Sequence, residues 1–400
     1  MMRISDRVRS IRPSPTLEAT ARAIALREQG IDLVDLGAGE PDFDTPEHIK
    51  QAAVEALAAG ATKYTAVGGT EELKRAIVTK LRRDNGLQYS TSEVVVSCGG
   101  KHSLYNTFLA LFQEGDEVIL PSPYWTTYPD ILTLAGARAV ILEGAESDGF
   151  RISAEGLRRA ITPRTRGFVL NSPSNPTGIA YGENELLAIL AVLQDHPEVI
   201  LVSDDVYERM LYDGRSVPPH PGVLAPDLRE RLVISNSVSK SYAMTGWRIG
   251  YTAAPAAVIK AITTLQGQST SNASSVAQAA AAAALMGPQE CVDRMVREFE
   301  KRRDFVVARL REIPGLTVVR PDGAFYVFPN VSRHFGKRWS KGEIRSGGDM
   351  ALYLLEEGRV ALVGGEAFGS PDHVRISYAN SLENLRKALD RVDEALRALA

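Results

Sequence analysis

The stretch Ser235-Asn236-Ser237-Val238-Ser239-Lys240-Ser241-Tyr242-Ala243-Met244-Thr245-Gly246-Trp247-Arg248-Ile249-Gly250-Tyr251 sets the reading of the whole chain. Lys240 follows the apolar, β-type run Leu232-Val233-Ile234 and sits among hydroxyls, between two elements, where a helix-surface ion pair is out of place. Arg248 comes next, with Gly246 and Gly250 on either side of a short expected strand, Trp247-Arg248-Ile249. A primary amine beside a guanidinium and several hydroxyls is what an aldehyde cofactor carrying a phosphate requires. The amine forms an imine, and the guanidinium with the hydroxyls holds the dianion. The competing reading is a surface lysine beside a structural arginine, and the rest of the chain decides between the two.

Upstream of that stretch, strand and helix alternate. Strands are expected at 94–97, 117–120, 137–142, 167–171, 199–203 and 232–235, with helical stretches such as 155–161 and 183–193 between them. This order argues for an α/β fold with a mostly parallel sheet covered on both faces. Ligands of such sheets sit beyond the carboxyl ends of the strands, so the residues just past each strand carry the information. One strand runs into Asn171-Ser172-Pro173-Ser174-Asn175-Pro176-Thr177-Gly178, another into Asp204-Asp205-Val206-Tyr207, and a third into the lysine stretch. An amide, a carboxylate, a phenol and an amine thus converge at one sheet edge.

Two glycine turns add to this. Strand 94–97 runs through Cys98-Gly99-Gly100-Lys101 into a helix expected at 102–112, where bare N–H groups and the helix dipole make an anion site. The turn lacks the G-x-x-x-x-G-K-[ST] spacing, so a nucleoside triphosphate is not indicated. Gly37-Ala38-Gly39-Glu40-Pro41, after a strand expected at 32–36, begins like a dinucleotide fingerprint, but Pro41 and a missing third glycine break the pattern. A close approach of the backbone at Gly39 is the better reading.

Composition excludes several classes. Forty-four per cent hydrophobic and 24% charged residues over 400 positions describe a globular chain with room for two sizeable cores. Lys plus Arg number 46 against 49 Asp plus Glu, a net charge of −3, which gives no bulk attraction for nucleic acid. The two cysteines, Cys98 and Cys291, match neither a disulfide framework nor a metal site, so no metal is expected. The N-terminal residues carry scattered charges and no apolar core, and no run of eighteen apolar residues follows, so a cytoplasmic protein without a membrane anchor is expected.

The flanks divide the chain. An arm ends at Arg12-Pro13-Ser14-Pro15, followed by helices expected at 16–29, 45–58 and 71–83. After an alanine run at 279–284 come a charged helix at 289–312, strands at 316–319, 324–328, 360–363 and 374–378, and helices at 349–357 and 382–399. The expected units are 1–45 (arm and part of a small domain), 46–288 (large cofactor domain) and 289–400 (linking helix and small α+β domain). Arg375 lies inside an apolar strand, His373-Val374-Arg375-Ile376-Ser377. There it needs a partner, either a structural carboxylate or the carboxylate of a substrate.

These residues resemble the fold-type I, pyridoxal-phosphate-dependent aminotransferases of class I, especially the bacterial aspartate aminotransferases. The motifs that carry the resemblance are Ala-Gly-Glu-Pro-Asp-Phe-Asp, Gly-Gly-Lys, Ser-Pro-Tyr-Trp, Asn-x-Pro-x-Asn-Pro-Thr-Gly, Asp-x-Val-Tyr, Ser-x-Ser-Lys and Gly-Trp-Arg-Ile-Gly-Tyr, spread from Pro13 to the final helix. The resemblance implies a large domain with a mostly parallel seven-stranded sheet, a smaller α+β domain, and a homodimer with shared active sites. Lys240 would carry the cofactor and move the proton, Asp204 would pair with the ring nitrogen, Tyr207 and Asn175 with the ring oxygen, and Trp125 would stack on the ring. Arg248, Ser237 and the Gly99-Gly100-Lys101 turn would hold the phosphate of pyridoxal 5'-phosphate, with Tyr64 arriving from a second subunit. Arg375, helped by Asn175 and the backbone at Gly39, would bind the substrate α-carboxylate, and Phe325 would line the small-domain wall.

The implied reaction moves an amino group from an L-amino acid, aspartate first, to 2-oxoglutarate. Aromatic amino acids, alanine and prephenate-type substrates stay open, because the branch's side-chain lysine is expected at a position occupied here by Leu109, and Ser271 and Asn272 stand where other members supply an arginine. Arg12 and Thr16 are further candidates toward the substrate. A lyase of the same fold is a lesser alternative. Ser237-Val238-Ser239-Lys240 also fits the S-x-x-K motif of serine acylases, but no Lys-Thr-Gly follows and the serine ends a strand instead of opening a helix. A non-catalytic ligand sensor of the same fold conflicts with the complete set of catalytic groups.

Overall fold

Runs of Val, Ile and Leu with both faces buried build a seven-stranded sheet, as expected where helices cover both sides. The computed structural model describes residues 2–11, 13, 15–215 and 217–399, without the side chains of residues 15–20 and 27. Arg12 and the side chain of Thr16, singled out in the sequence, lie outside the described residues. The strands are β1 (Val94–Ser97), β2 (Glu117–Ser122), β3 (Arg138–Glu143), β4 (Thr165–Asn171), β5 (Ile200–Asp204), β6 (Leu232–Ser237) and β7 (Gly250–Ala253). Their spatial order is β1-β7-β6-β5-β4-β2-β3. Five of them, from β6 to β3, pair in parallel. Only β7 runs antiparallel, to β1 on one side and β6 on the other.

That strand corrects the sequence reading. In place of a strand at 247–249 the chain makes a 3₁₀ turn, Thr245–Trp247, and Arg248 takes a left-handed conformation with φ 57°. A residue with positive φ does not continue a ladder, so pairing begins only at Gly250. Arg248 Nη1 donates to the Thr245 carbonyl at 2.8 Å and holds the turn. Two strands and a glycine turn that are far apart in sequence thereby meet at one end of the sheet.

The smaller unit holds an antiparallel sheet in which Val374–Ser377 lies between Val363–Gly364 and Tyr326–Val327. Val34–Asp35 pairs in parallel with Val360–Ala361, tying an N-terminal segment to this part. The strand expected at 316–319 is reduced to a single bridge between Thr317 and Asn330, since Pro314 and Gly315 before it and Pro321 after it leave little room for a ladder. Helix Pro15–Glu28 opens on Pro15, which suits the first turn because its missing N–H would be unpaired there anyway. The helix Glu290–Glu312 spans both parts. Its Val292 packs with the sheet's core, while Phe299, Val306 and Leu310 pack with the small unit. Among the described residues no helix is long and apolar enough to cross a membrane.

Helix Glu71–Asn85 braces the site from below. Thr70 caps it by accepting from the Leu73 amide at 3.3 Å, and Gly86 ends it at φ 69°. The helix carries Lys80 and Asn85 into the interior, where Lys80 Nζ contacts Glu208 and donates to Asn85 at 2.8 Å. Asn85 and Asn236 each donate to Glu208, at 2.7 and 2.6 Å, and Asn236 in turn accepts from the Ser237 amide at 2.7 Å. The end of β6 is therefore anchored to a buried ion pair. Replacing Lys80 with Met should leave Glu208 buried and uncompensated and lower stability by about 3–5 kcal/mol. A urea midpoint equal to that of the parent protein would show that the pair contributes nothing.

Candidate active site

A cavity of about 270 Å³ opens where β4, β5 and β6 end, at Asn171, Asp204 and Ser237. Its acidic end is Asp204, which is 5% exposed. The carboxylate accepts from the Tyr128 hydroxyl at 2.5 Å and from the Val206 amide at 3.3 Å. Burial nevertheless prevails and pushes its pKa up to about 6, with the neighbouring Asp205 charge adding to the rise. Such an acid is poised to share a proton with a ring nitrogen. Tyr128 was not singled out in the sequence, although it stands three residues after Trp125 and the two rings meet edge to face at 5.3 Å.

Lys240 lines the cavity, and its amine donates to the Gly39 carbonyl. Desolvation lowers its pKa to about 8, against the pull of Glu40 and helped by the positive charges of Arg375, Arg248 and Lys101. The consequence is large. At pH 7.5 an unperturbed lysine is neutral in roughly one molecule in a thousand, whereas a pKa near 8 makes it neutral in roughly one in four. A neutral amine is what nucleophilic attack on a carbonyl and abstraction of a proton both need.

At the anion end, helix Gly100–Leu111 begins without a side-chain cap, so its first two N–H groups, those of Gly100 and Lys101, are left to meet a ligand. Gly99 has φ 93°, and a Cβ there would stand 2.3 Å from Nη2 of Arg248. A Cβ on Gly250 would stand 2.4 Å from the Gly100 nitrogen. Both glycines are thus required by close approach, and together with Ser237 they bring amides, a hydroxyl and a guanidinium to one spot. Arg248 itself is exposed in the single chain. Lys101 extends over the Trp125 ring, 5.2 Å from its centre, and partial burial with the nearby Arg248 charge lowers its pKa.

Arg375 is 2% exposed and, among the described residues, forms no ion pair with a carboxylate, so the structural ion pair that was one of its two readings is not formed. Its Nη1 donates to Asn175 Oδ1 at 2.9 Å and its Nη2 to the Gly37 carbonyl at 2.7 Å, while its buried Nε has no partner. The guanidinium lies over the ring of Tyr326, 4.6 Å from the centre. A buried cation left with neutral acceptors and a spare N–H invites an anion.

Three sequence expectations need correction or placing. Phe325 is fully buried behind the wall, with the Lys240 amine 5.8 Å from its ring centre; it sits in the turn before the short strand Tyr326–Val327, its ring packed with Tyr207 and Phe299, and its neighbour Tyr326 lines the cavity instead. Leu109 lies in the third turn of its helix and packs against the core of the sheet, away from the cavity. Tyr64 is 91% exposed and lines no part of the cavity of its own chain, and neither do Ser271 and Asn272.

The sequence profile described as Aminotransferase class I and II matches residues 31–392. The chain belongs to this family. An aspartate aminotransferase of Geobacillus stearothermophilus is 48% identical, with all of both chains covered. An aspartate/prephenate aminotransferase of Nitrosomonas europaea is 46% identical over 99% of this chain and all of its own. Among solved structures, an aspartate aminotransferase from Rhizobium meliloti aligns over the full length of both chains with a TM-score of 0.96 at 47% identity. One from Thermus thermophilus with maleate aligns with a TM-score of 0.92 at 43% identity, over 99% of this chain and all of its own. The fold is that of the fold-type I aminotransferases, and the cofactor is pyridoxal 5'-phosphate. The cavity fits this group: a glycine cradle at a helix start suits its phosphate, a buried acid its ring nitrogen and a neutral-prone amine its aldehyde.

In this aminotransferase, Tyr128→Phe removes the stronger of the two hydrogen bonds that oppose desolvation at Asp204. The carboxyl pKa of the cofactor-free protein should then rise by about one further unit. Infrared titration of the carbonyl stretch reads it, and an unmoved value would mean that Tyr128 does not stabilise the charge.

Proposed function

We propose that this aminotransferase takes aspartate as amino donor and 2-oxoglutarate as acceptor, in an active site completed by a second copy of the chain. The observation that carries the substrate assignment is the number of cations around the cavity. Lys101, Lys240, Arg248 and Arg375 line it, and a cofactor phosphate, a reacting amine and an α-carboxylate account for three of them. Lys101 is left for a distal carboxylate. The relatives named above are aspartate and aspartate/prephenate aminotransferases, and one solved relative is described with maleate, a dicarboxylate.

The cofactor supplies an aldehyde that takes the amino group and a ring that draws electrons from the substrate Cα. Asp204 keeps the ring nitrogen protonated, since a carboxylate in a dry site favours the positive partner. Tyr207 and Asn175 would hold the ring oxygen, and Trp125 would offer its indole for stacking. With its indole face taken by the cofactor, Trp125 would no longer be open to the Lys101 ammonium, which would then be left for the substrate. Arg248, Ser237 and the Gly99-Gly100-Lys101 turn, through the unpaired amides of Gly100 and Lys101, would hold the phosphate. Arg375 grips the α-carboxylate, aided by Asn175 and the backbone near Gly39, and places the Cα–H within reach of Lys240. Lys240, in its neutral form, would take that proton and return it.

Tyr64, almost wholly exposed on its own chain, is assigned to the partner's phosphate site, where Arg248 is open to solvent in the single chain. Prephenate in place of 2-oxoglutarate as the amino acceptor is the second reading, supported by the naming of the Nitrosomonas relative; it is also a dicarboxylate and would use the same lysine.

A panel of amino donors against 2-oxoglutarate tests the substrate, and absence of transfer from aspartate would overturn it. Lys101→Ser should raise KM for aspartate at least tenfold, the loss of one charge-assisted contact, while an alanine donor is little affected. Equal losses for both donors would place Lys101 at the cofactor alone. Lys240→Ala should abolish transfer and the cofactor's covalent attachment. Mixing it with a Tyr64→Ala protein should restore part of the activity through hybrid dimers, each with one intact site. No recovery in exchanged dimers would remove Tyr64 from the partner's site.

A further inference from the structure

Above the cavity, Tyr326 meets groups from three segments of the chain. Its hydroxyl lies 2.8 Å from that of Tyr207, which follows β5, and its ring supports the guanidinium of Arg375. A Cβ on Gly39 would stand 3.0 Å from the same hydroxyl, so the glycine leaves room for it. Tyr326 is 1% exposed and Tyr207 3%, and each ring is held by its neighbours: Phe325 meets Tyr207 edge to face at 5.6 Å and Tyr326 at 4.7 Å. The pair of hydroxyls has no freedom to drift apart.

We propose that Tyr326 is a positioning residue whose hydroxyl donates to Tyr207, so that Tyr207 donates its own proton to the ring oxygen of the cofactor. The protons available to the two hydroxyls fix the direction. Burial raises the pKa of both phenols, so both hydroxyls keep their hydrogens at neutral pH. One must donate to the other. If Tyr207 donated to Tyr326 it would have nothing to offer the cofactor, whereas the order Tyr326 to Tyr207 to ring oxygen uses each proton once. A chain of this kind also strengthens its last link, because an oxygen that accepts becomes a better donor. The charged groups facing the pair are Arg375 over Tyr326, Asp204 on the strand before Tyr207, and Lys240, whose amine lies beyond Phe325. Asp204 disfavours negative charge on Tyr207 and Arg375 favours it. A neutral donor such as Tyr326 strengthens Tyr207 without adding to either.

This inference rests on the proposed placement of Tyr207 at the ring oxygen, and one titration separates the two. The pKa of the bound cofactor's visible chromophore is measured in the holoenzyme. Donation to the ring oxygen stabilises its deprotonated form, so weakening the donor raises the pKa. Tyr326→Phe keeps the ring under Arg375 and removes only the hydroxyl, and should raise the chromophore pKa by about half a unit to one unit. Tyr207→Phe should raise it further, and adding Tyr326→Phe to that variant should change nothing more. A shift for Tyr207→Phe with none for Tyr326→Phe would overturn the inference and leave the parent assignment standing. No shift for Tyr207→Phe would overturn both. Should Tyr326→Phe fail to fold, fluorotyrosine at position 326 gives the complementary reading: a more acidic phenol is a better donor and must lower the chromophore pKa. An unchanged or raised value refutes the relay.

Discussion

The amine of Lys240 is held out of water among three other cations, and the rest of the site is arranged to make that tolerable. Desolvation and like charge both disfavour the ammonium, which is why a sizeable minority of the amine is neutral near physiological pH. The same confinement would be costly without acceptors, and the Gly39 carbonyl provides one. At the other end of the cavity the logic is inverted. Asp204 is a carboxylate whose burial is only partly offset by Tyr128 and a backbone amide. A cofactor ring bound between the two, as proposed, would relieve both, since it would take the amine covalently and offer a cationic nitrogen to the acid. The two strained ionisations are thus complementary to one molecule, and binding energy at one end supports the chemistry at the other.

Much of this was legible from residue order. Strands that end in Asn171, Asp204 and Ser237 must deliver those residues to one edge if the sheet is parallel, and the expected alternation of strand and helix made it so. The glycine turn before helix Gly100–Leu111 could be read as an anion site because a strand, two glycines and a helix start leave unpaired amides wherever they occur. What could not be read is the partnering across the sheet. Arg248 was expected within a strand because Trp247 and Ile249 look like strand residues, but its left-handed backbone, set by close packing of Gly250 against Gly100, is a tertiary effect.

The wall of the small unit shows the same boundary between local and non-local information. Phe325 and Tyr326 are adjacent aromatics; which of them faces the cavity depends on where the turn ends and the strand begins, and the pairing of Tyr326 with Ser377 sets that point. Tyr128 is a similar case. Its spacing from Trp125 hints that both face one way, yet only the position of β5 brings Asp204 under its hydroxyl. Sequence reasoning found the groups that titrate and missed the neutral phenols that steer them.

The antiparallel strand β7 has a further consequence for how the molecule is made. It is inserted between β1, which leaves the ribosome some 150 residues earlier, and β6, which immediately precedes it. Until Gly250–Ala253 has been synthesised, β1 has no neighbour in the sheet and the amides at Gly99 and Gly100 have no guanidinium above them. A nascent chain therefore cannot retain the vitamin phosphate piecemeal. Capture of the cofactor is reserved for a chain long enough to have closed its sheet.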